Sequence, residues 1–279
     1  MHNNSSEDIS FYDLLVDPAK TIPIKDKKGS EYCIKAIDIF YIECKESDKN
    51  QKDNRDIKII HFCNRIDFYG RLLQSFEWYT KQPLCSIVEE LGVNTFVQIN
   101  KRTIVRTVLL QGRDSAWKNI QIIGINPNYL SRNRWHPKKI SVGRKYKTSI
   151  ETVLKIINLV EVRNINGNDV SDVLFINPVD IVYIELSKYE RVIHLNKPYY
   201  NNGNNCYEII WKSGFKAAEI IKYFRYNSIV QSNRNTLINL NYIVGNLPQY
   251  QKVIQLTTDN KSFIKLDLTE KYYKKILVE

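Results

Sequence analysis

Apolar and polar residues alternate along this chain in short runs, and one such run occurs twice. Ala36–Cys44 reads AIDIFYIEC and Pro178–Leu186 reads PVDIVYIEL, with Asp, Ile, Tyr, Ile and Glu in identical register. In the first run Ile39, Tyr41 and Glu43 oppose Phe40 and Ile42, an alternation that predicts a strand. A shorter aliphatic segment and a turn precede each copy (TIPIKDKKG from Thr21, LVEVRNING from Leu159). A charged loop then leads to a further strand, DIKIIHF or ERVIHL. The repetition predicts a mainly β chain with short helices, organised as two consecutive β-sheet domains over 21–157 and 158–279. Residues 1–20 are polar and then mildly amphipathic, and are expected to form a docked helix or a loose arm.

Helical spacing is confined to short stretches. SIETVLKIINL from Ser149 carries Ile150, Val153, Leu154 and Ile157 on one face, which predicts a core helix joining the copies. Further helices are predicted at 71–80, 83–91 and 214–225, the last with Phe215, Ala218, Ile221 and Phe224 inward. Between strands expected at Ile120–Ile125 and Ile140–Val142 stands an insertion, NPNYLSRNRWHPKK. Pro127 and Pro137 bracket Arg132, Arg134, Lys138 and Lys139, with Tyr129, Trp135 and His136 interleaved, as expected for the tip of a long hairpin. The corresponding loops of the second copy are uncharged and rich in Asn and Gly, residues that suit turns.

Composition narrows the class. With 279 residues, 43% hydrophobic and 25% charged, the chain can build a sizeable core. No apolar run approaches a membrane span and no secretory leader opens the chain, so a cytoplasmic protein without membrane contact is expected. The five cysteines (Cys33, Cys44, Cys63, Cys85, Cys206) are odd in number and sit among aliphatic neighbours, which fits reduced core thiols. His61 and Cys63 share a strand face, yet no CxxC or paired-His spacing accompanies them, and no metal or other cofactor is expected. The net charge is +11, and its location matters more than its size: from Gln98 to Lys147 twelve Lys or Arg face a single acid, Asp114. Such a concentration reads as a footprint for a polyanion, or otherwise as a solvated basic face.

A second repeated phrase lies in that window. QINKRTIV begins at Gln98 and QSNRNTLI at Gln231. Taken with the DIxYIE strands, the short helix before each phrase and the basic ISVGRKY that ends the first copy, both copies resemble the LytTR family. These bacterial DNA-binding domains, usually the output modules of response regulators, read successive major grooves with loops between strands. The resemblance implies DNA contacts at Lys101 and Arg234 in the repeated phrase and at Arg144 in the last strand–loop. Lys49 and Arg191 fall near the contact position of the loop after the first family strand. Arg102 and Lys145 adjoin these positions, and Arg132, Arg134, Lys138 and Lys139 add phosphate-binding charge from the insertion. On this reading Phe96–Ile99 is a strand, Asn100-Lys101-Arg102 the turn offered to DNA, and Thr103–Val105 the return into the core. Gln98 and Gln231 stand where the family has Arg, and Asn100 and Asn233 where it has His. They either brace the loop by hydrogen bonds or are simply satisfied polar residues.

The chain also departs from the family. No receiver domain precedes the copies, so phosphorylation control is not expected. Asp267 and Leu268 are aligned with Gly143 and Arg144, which makes the second copy the weaker half of an expected two-part DNA site. An enzyme is disfavoured because no P-loop, nucleophile elbow or HExxH occurs. Two other readings stay open: binding of RNA or single strands through Tyr129 and Trp135, and a protein-interaction scaffold with a degenerate second copy. The expected partner is double-stranded DNA, with room for a further regulatory protein.

Overall fold

The computed structural model describes residues 19–45, 57–68, 71–122, 138–163, 173–201, 204–246, 253–257, 263–269 and 271. Lys49, Arg132, Arg134, Tyr129, Trp135 and the N-terminal arm therefore lie outside the described residues. The chain is mainly β with short helices. In order along it come β1 (Thr21–Lys25), β2 (Glu31–Lys35), β3 (Ile39–Cys44), β4 (Ile57–Phe68), β5 (Arg71–Tyr79), α1 (Leu84–Leu91), β6 (Phe96–Asn100) and β7 (Thr103–Arg106). Then follow β8 (Leu110–Arg113), β9 (Asn119–Ile122), β10 (Lys138–Ser141), α2 (Lys147–Ile156), β11 (Val160–Arg163), β12 (Val173–Ile176), β13 (Ile181–Leu186), β14 (Glu190–Asn201) and β15 (Asn204–Lys212). The last elements are α3 (Ala217–Phe224), β16 (Ile229–Asn233), β17 (Thr236–Asn239), β18 (Ile243–Asn246), β19 (Val253–Thr257) and β20 (Phe263–Asp267).

Two compact units result, 1–110 with 116–157, and 111–115 with 158–279. Gln111–Ser115, expected inside the first copy, thus counts with the second. The first unit is built on a five-stranded sheet of order β5-β4-β3-β7-β6, the second on its counterpart, β15-β14-β13-β17-β16. Every pairing in both is antiparallel.

The repeated DIxYIE run supplies the central strand of each sheet, β3 or β13, and its first four residues are buried. The simple alternation expected there does not hold. Ile39 pairs with Phe62 but Tyr41 with His61, and Ile181 with Leu195 but Tyr183 with His194. One extra residue, Phe40 or Val182, makes a β-bulge in the same place in both units, so Ile39 joins Ile42, and Ile181 joins Ile184, in one core. In the first unit Phe62, Phe96, Leu84 and Ile87 complete that core. Each large side chain there is worth roughly 1.5–3 kcal/mol of burial.

One helical expectation fails, and the inward face of another differs in part. Residues 71–79 form strand β5, because Phe76 and Trp78 alternate inward while the backbone pairs with β4 from Ile57↔Tyr79 to Phe68↔Arg71. Leu72 is exposed. In α3 the buried residues are Ile220 and Phe224, while Phe215 and Ala218 lie exposed. The helix begins at Ala217, where the Glu219 carboxylate accepts the Lys216 amide at 2.6 Å, so Phe215 precedes it and packs edge-on against Trp211. The helices at 84–91 and 147–156 follow their patterns, with Leu84, Ile87 and Leu91 buried in α1 and Ile150, Val153 and Leu154 in α2. Of the cysteines, only Cys63 is buried; Cys33 and Cys85 are exposed, and all five are free.

The face of each sheet opposite that core carries a stacked pair. Tyr41 lies on His61 with ring centroids 4.0 Å apart, and Tyr183 on His194 at 3.9 Å. Glu43 accepts from His61 Nε2 at 2.9 Å. His194 sits between two carboxylates, Glu185 at 3.3 Å from Nε2 and Glu208 at 3.3 Å from Nδ1. Burial nevertheless holds the His194 imidazole below its ordinary value, outweighing the two carboxylates that pull it up.

Two predictions follow from this packing. Gly112 has no room for a side chain, since a Cβ there would stand 2.5 Å from the Val173 carbonyl oxygen. Gly112→Ala should destabilise the second unit by about 1–3 kcal/mol and speed hydrogen exchange in β11 and β12, whereas Gly214→Ala, with nothing within 4 Å, should not. For His194, the unfolded chain takes up a proton near pH 6.5 and the folded chain only at lower pH. Stability should therefore be full above that pH and decline as pH falls below it, levelling once the folded imidazole titrates. His194→Gln should flatten that part of a denaturation-midpoint-versus-pH curve.

Candidate nucleic-acid interface

The repeated phrase folds the same way in both units. In the first, β6 and β7 are joined by a turn of two residues, Lys101-Arg102, with Asn100 paired to Thr103; Asn100 thus ends the strand rather than opening the turn. Its side-chain oxygen accepts the Arg102 amide at 2.8 Å and its Nδ2 donates to the Ser141 carbonyl at 2.8 Å. Gln98 Nε2 donates to the Asn100 carbonyl at 3.0 Å. In the second unit Asn233 accepts the Asn235 amide at 2.8 Å and donates to the Asp267 carbonyl at 3.0 Å, and Gln231 donates to the Asn233 carbonyl at 3.0 Å. The shared Gln and Asn are therefore braces, and the residues they present, Lys101 and Arg234, are exposed.

Next to the first tip lies a second turn. The Gly143 amide donates to the Ile99 carbonyl at 2.9 Å, and Arg144–Tyr146 form a 3-10 turn leading into α2. A Cβ on Gly143 would meet the Tyr146 ring at 2.9 Å and the Asn100 Cα at 3.5 Å, so this close approach requires glycine. The Tyr146 hydroxyl accepts from Gln98 at 3.3 Å, and the Lys145 ammonium stands 4.8 Å above the Tyr146 ring. Between the two turns and the end of β3 opens a groove of about 850 Å³, lined by Lys45, Lys101, Arg102, Arg144 and Lys145, with Glu43 at its margin.

Four of the predicted site residues thus meet at one groove: Lys101, Arg102, Arg144 and Lys145. Arg102 also donates to the Cys44 carbonyl at 3.1 Å. Lys139 is exposed on β10. Lys138, on the same strand, is partly exposed and engaged within its own unit: it bonds to the Tyr41 hydroxyl, stands 4.0 Å over that ring and lies 3.7 Å from Glu43. Together with His61 it holds the Glu43 carboxyl below the usual range. Arg191 is corrected outright. It is 6% exposed, and its guanidinium donates to the carbonyls of Ser187, Glu190 and Phe215, so it secures its own loop instead of facing solvent.

Other cations of the basic window are spent inside the fold as well. Arg106 is buried and donates to the Ile37 carbonyl, and Arg113 makes a two-pronged pair with Glu161 at 2.8 and 2.7 Å. Lys45, Gly143 and Tyr146 were missed from sequence. The charge after DIxYIE was the one signal for Lys45; nothing local marks the other two, whose roles arise from packing across the groove. Among the described residues no group of three or more His, Cys, Asp or Glu is placed to hold a metal.

The alignment of the copies also changes. Asn100 donates to Ser141 and Asn233 to Asp267, while the amides of Gly143 and Thr269 donate to Ile99 and Ser232. These bonds pair Asp267 with Ser141 and Thr269 with Gly143, two residues away from the register read in sequence. Leu268 accordingly corresponds to Val142 and is a core residue, 4% exposed.

Asn100→Ala should leave the Arg102 amide and the Ser141 carbonyl without this partner, costing about 1 kcal/mol. The Arg102 amide should exchange measurably faster by NMR. Asn100→Asp keeps the acceptor but turns an oxygen toward the Ser141 carbonyl, so it should restore the Arg102 protection without restoring stability.

No family model matches the chain, and no curated protein matches it. Among solved structures, the chain is similar to a LytTr DNA-binding domain from Bacillus cereus, at 14% identity over 43% of this chain and 95% of that one. The TM-score is 0.30.

Proposed function

We propose that the first unit binds double-stranded DNA and reads sequence in the major groove with its two inter-strand turns, in the manner of a LytTR-type transcriptional regulator. The observation that carries this is the convergence of Lys101, Arg102, Arg144 and Lys145 around one open groove, beside Lys45, whose ammonium pairs with Glu77 at 2.5 Å. Long cations on short braced turns suit the task, because Arg and Lys donate to guanine O6 and N7 and to phosphate oxygens. The start of α2 supports the same reading. Arg144, Lys145 and Lys147 stand at its N-terminal end, and its first turn contains no acid. Lys147 pairs with Glu151 one turn on at 3.7 Å, but Arg144 and Lys145 only oppose the helix macrodipole, whereas an anion would be held by these cations and the dipole together.

Single-stranded nucleic acid fits this groove less well. Its aromatic residue, Tyr146, is half-buried, bonded to Gln98 and covered by Lys145, so it offers no open face for a base. Among the described residues no helix is long and apolar enough to cross a membrane.

Selection from random duplexes at near-physiological salt, followed by affinity measurements, tests the proposal. If about six phosphates are neutralised, log affinity should fall with log salt at a slope of roughly −5. Lys101→Ala and Arg144→Ala should each cost about 1–3 kcal/mol on the selected site and relax its preference. Lys139→Ala should weaken selected and random duplexes alike. A flat salt response, or tighter binding to single strands, would overturn the proposal.

A further inference from the structure

The groove of the first unit holds one group whose charge is wrong for a polyanion. Among the described residues that line it, Lys101, Arg102, Arg144 and Lys145 are cations, and Glu43, near the end of β3, is the one acid. Its side chain is 32% exposed, so the carboxylate is within reach of a ligand in the groove. Oε1 accepts from His61 Nε2 at 2.9 Å, and the His61 ring is itself held against Tyr41. Oε2 has Lys138 Nζ at 3.7 Å, longer than an ordinary hydrogen bond. A carboxylate offers about four acceptor sites, so these two neighbours fix its position without using up its capacity. They also favour its ionised form, His61 more than Lys138. A Glu–His pair recurs at Glu185 and His194 in the second unit, so the pair as such belongs to the sheet. Beside the groove's cations, however, the Glu43 carboxylate weakens attraction for phosphate, a loss that reading a base would offset.

We propose that Glu43 is a specificity-determining residue that accepts a hydrogen bond from the exocyclic amino group of one cytosine in the major groove. This deepens the duplex-binding reading above and rests on it. The major-groove edge of a C·G pair presents a donor, cytosine N4, beside two acceptors, guanine O6 and N7. A carboxylate next to Lys and Arg is the complementary set. Adenine fits less well, because its amino group adjoins N7, an acceptor that repels the second carboxylate oxygen. Thymine and guanine offer only acceptors at that place and are refused by an acceptor-only group.

The test uses the full chain and its selected duplex, with affinity read by fluorescence anisotropy. Each cytosine that the selection specifies is replaced in turn by N4-methylcytosine, which still pairs with guanine but carries a methyl group in place of the major-groove N–H. One such replacement should weaken the wild-type chain about tenfold, the size of a lost hydrogen bond to a charged group. In a selection of its own, Glu43→Ala should lose the cytosine preference at that position and keep the others. On the original duplex it should bind equally, within about twofold, with or without the methyl group, as expected once one partner of the contact is gone. A selected site without a cytosine preference, or one in which no methylation matters, would overturn the inference and needs no variant. A Glu43→Ala chain with an unchanged preference would overturn it too, since that is the behaviour of a mere counterion to His61 and Lys138. Failure of the duplex reading shows itself differently: the wild-type chain would bind no duplex, or Lys101→Ala and Arg144→Ala would both be silent, and this inference would fall with it.

Discussion

Everything at the candidate interface depends on one amide side chain. Asn100 accepts from the backbone of its own turn and donates to the backbone of β10's end, so the Lys101-Arg102 turn and the Arg144 turn are tied to a common point. Asn is the short residue that can do both, since its planar group carries an acceptor and a donor a fixed distance apart. Asp would offer oxygen on both sides, and Ala neither. Each bond contributes only about 0.5–1.5 kcal/mol net, so the importance of the bracket is geometric: long side chains can converge on a groove only if their Cα atoms do not wander. The same bracket at Asn233, beneath a tip with different charges, separates the means of holding the turn from what the turn displays.

Charge counted along the sequence overstates charge at the surface. Arg106, Arg113 and Lys138 all belong to the basic window, yet each is occupied by carbonyls, a carboxylate or an aromatic ring of its own unit. Arg191 is a clearer case, because the family resemblance points to it and three carbonyls hold it. A buried guanidinium left without those acceptors would cost several kcal/mol, so its environment leaves it no second role. What distinguishes Lys101, Arg144 and Lys145 is therefore exposure together with convergence, and neither is visible in a residue count.

The central strands, the helices at 84–91 and 147–156, and the twice-used phrase were legible because each is decided by local pattern: buried runs, helical spacing, a turn between aliphatics. The errors have a different origin. Residues 71–79 carry a mixed pattern that strand pairing with β4 resolves, and pairing is long-range information. The bulges at Phe40 and Val182 add a single residue, which flips the inward face without altering composition. The last strand of the second unit lies two residues from the register its sequence suggests, because FIKLDLTEKYY matches ISVGRKY weakly by type and the bonds from Asn233 and Thr269 fix the register. Gly143 and Tyr146 were illegible for the same reason: their neighbours, Asn100 and Gln98, are distant in sequence.

A short braced turn also bears on how selectivity could arise from such flexible side chains. Lys and Arg each give up about 2 kcal/mol of rotamer entropy when fixed, so one cation on a mobile loop would gain little from a single base contact. Mounted on a two-residue turn, Lys101 and Arg102 differ from solution only in their side-chain torsions, and the backbone cost has been met on folding. Arg144 is mounted similarly, on a 3-10 turn whose Tyr146 amide returns to the Gly143 carbonyl at 2.9 Å. On the proposed duplex-binding reading, phosphate attraction shared among several cations would supply affinity while the planar fork of Arg144 would supply direction. Replacing Arg144 by Lys should accordingly keep most of the salt-dependent affinity and lose most of the base preference, because the charge remains and the fork does not.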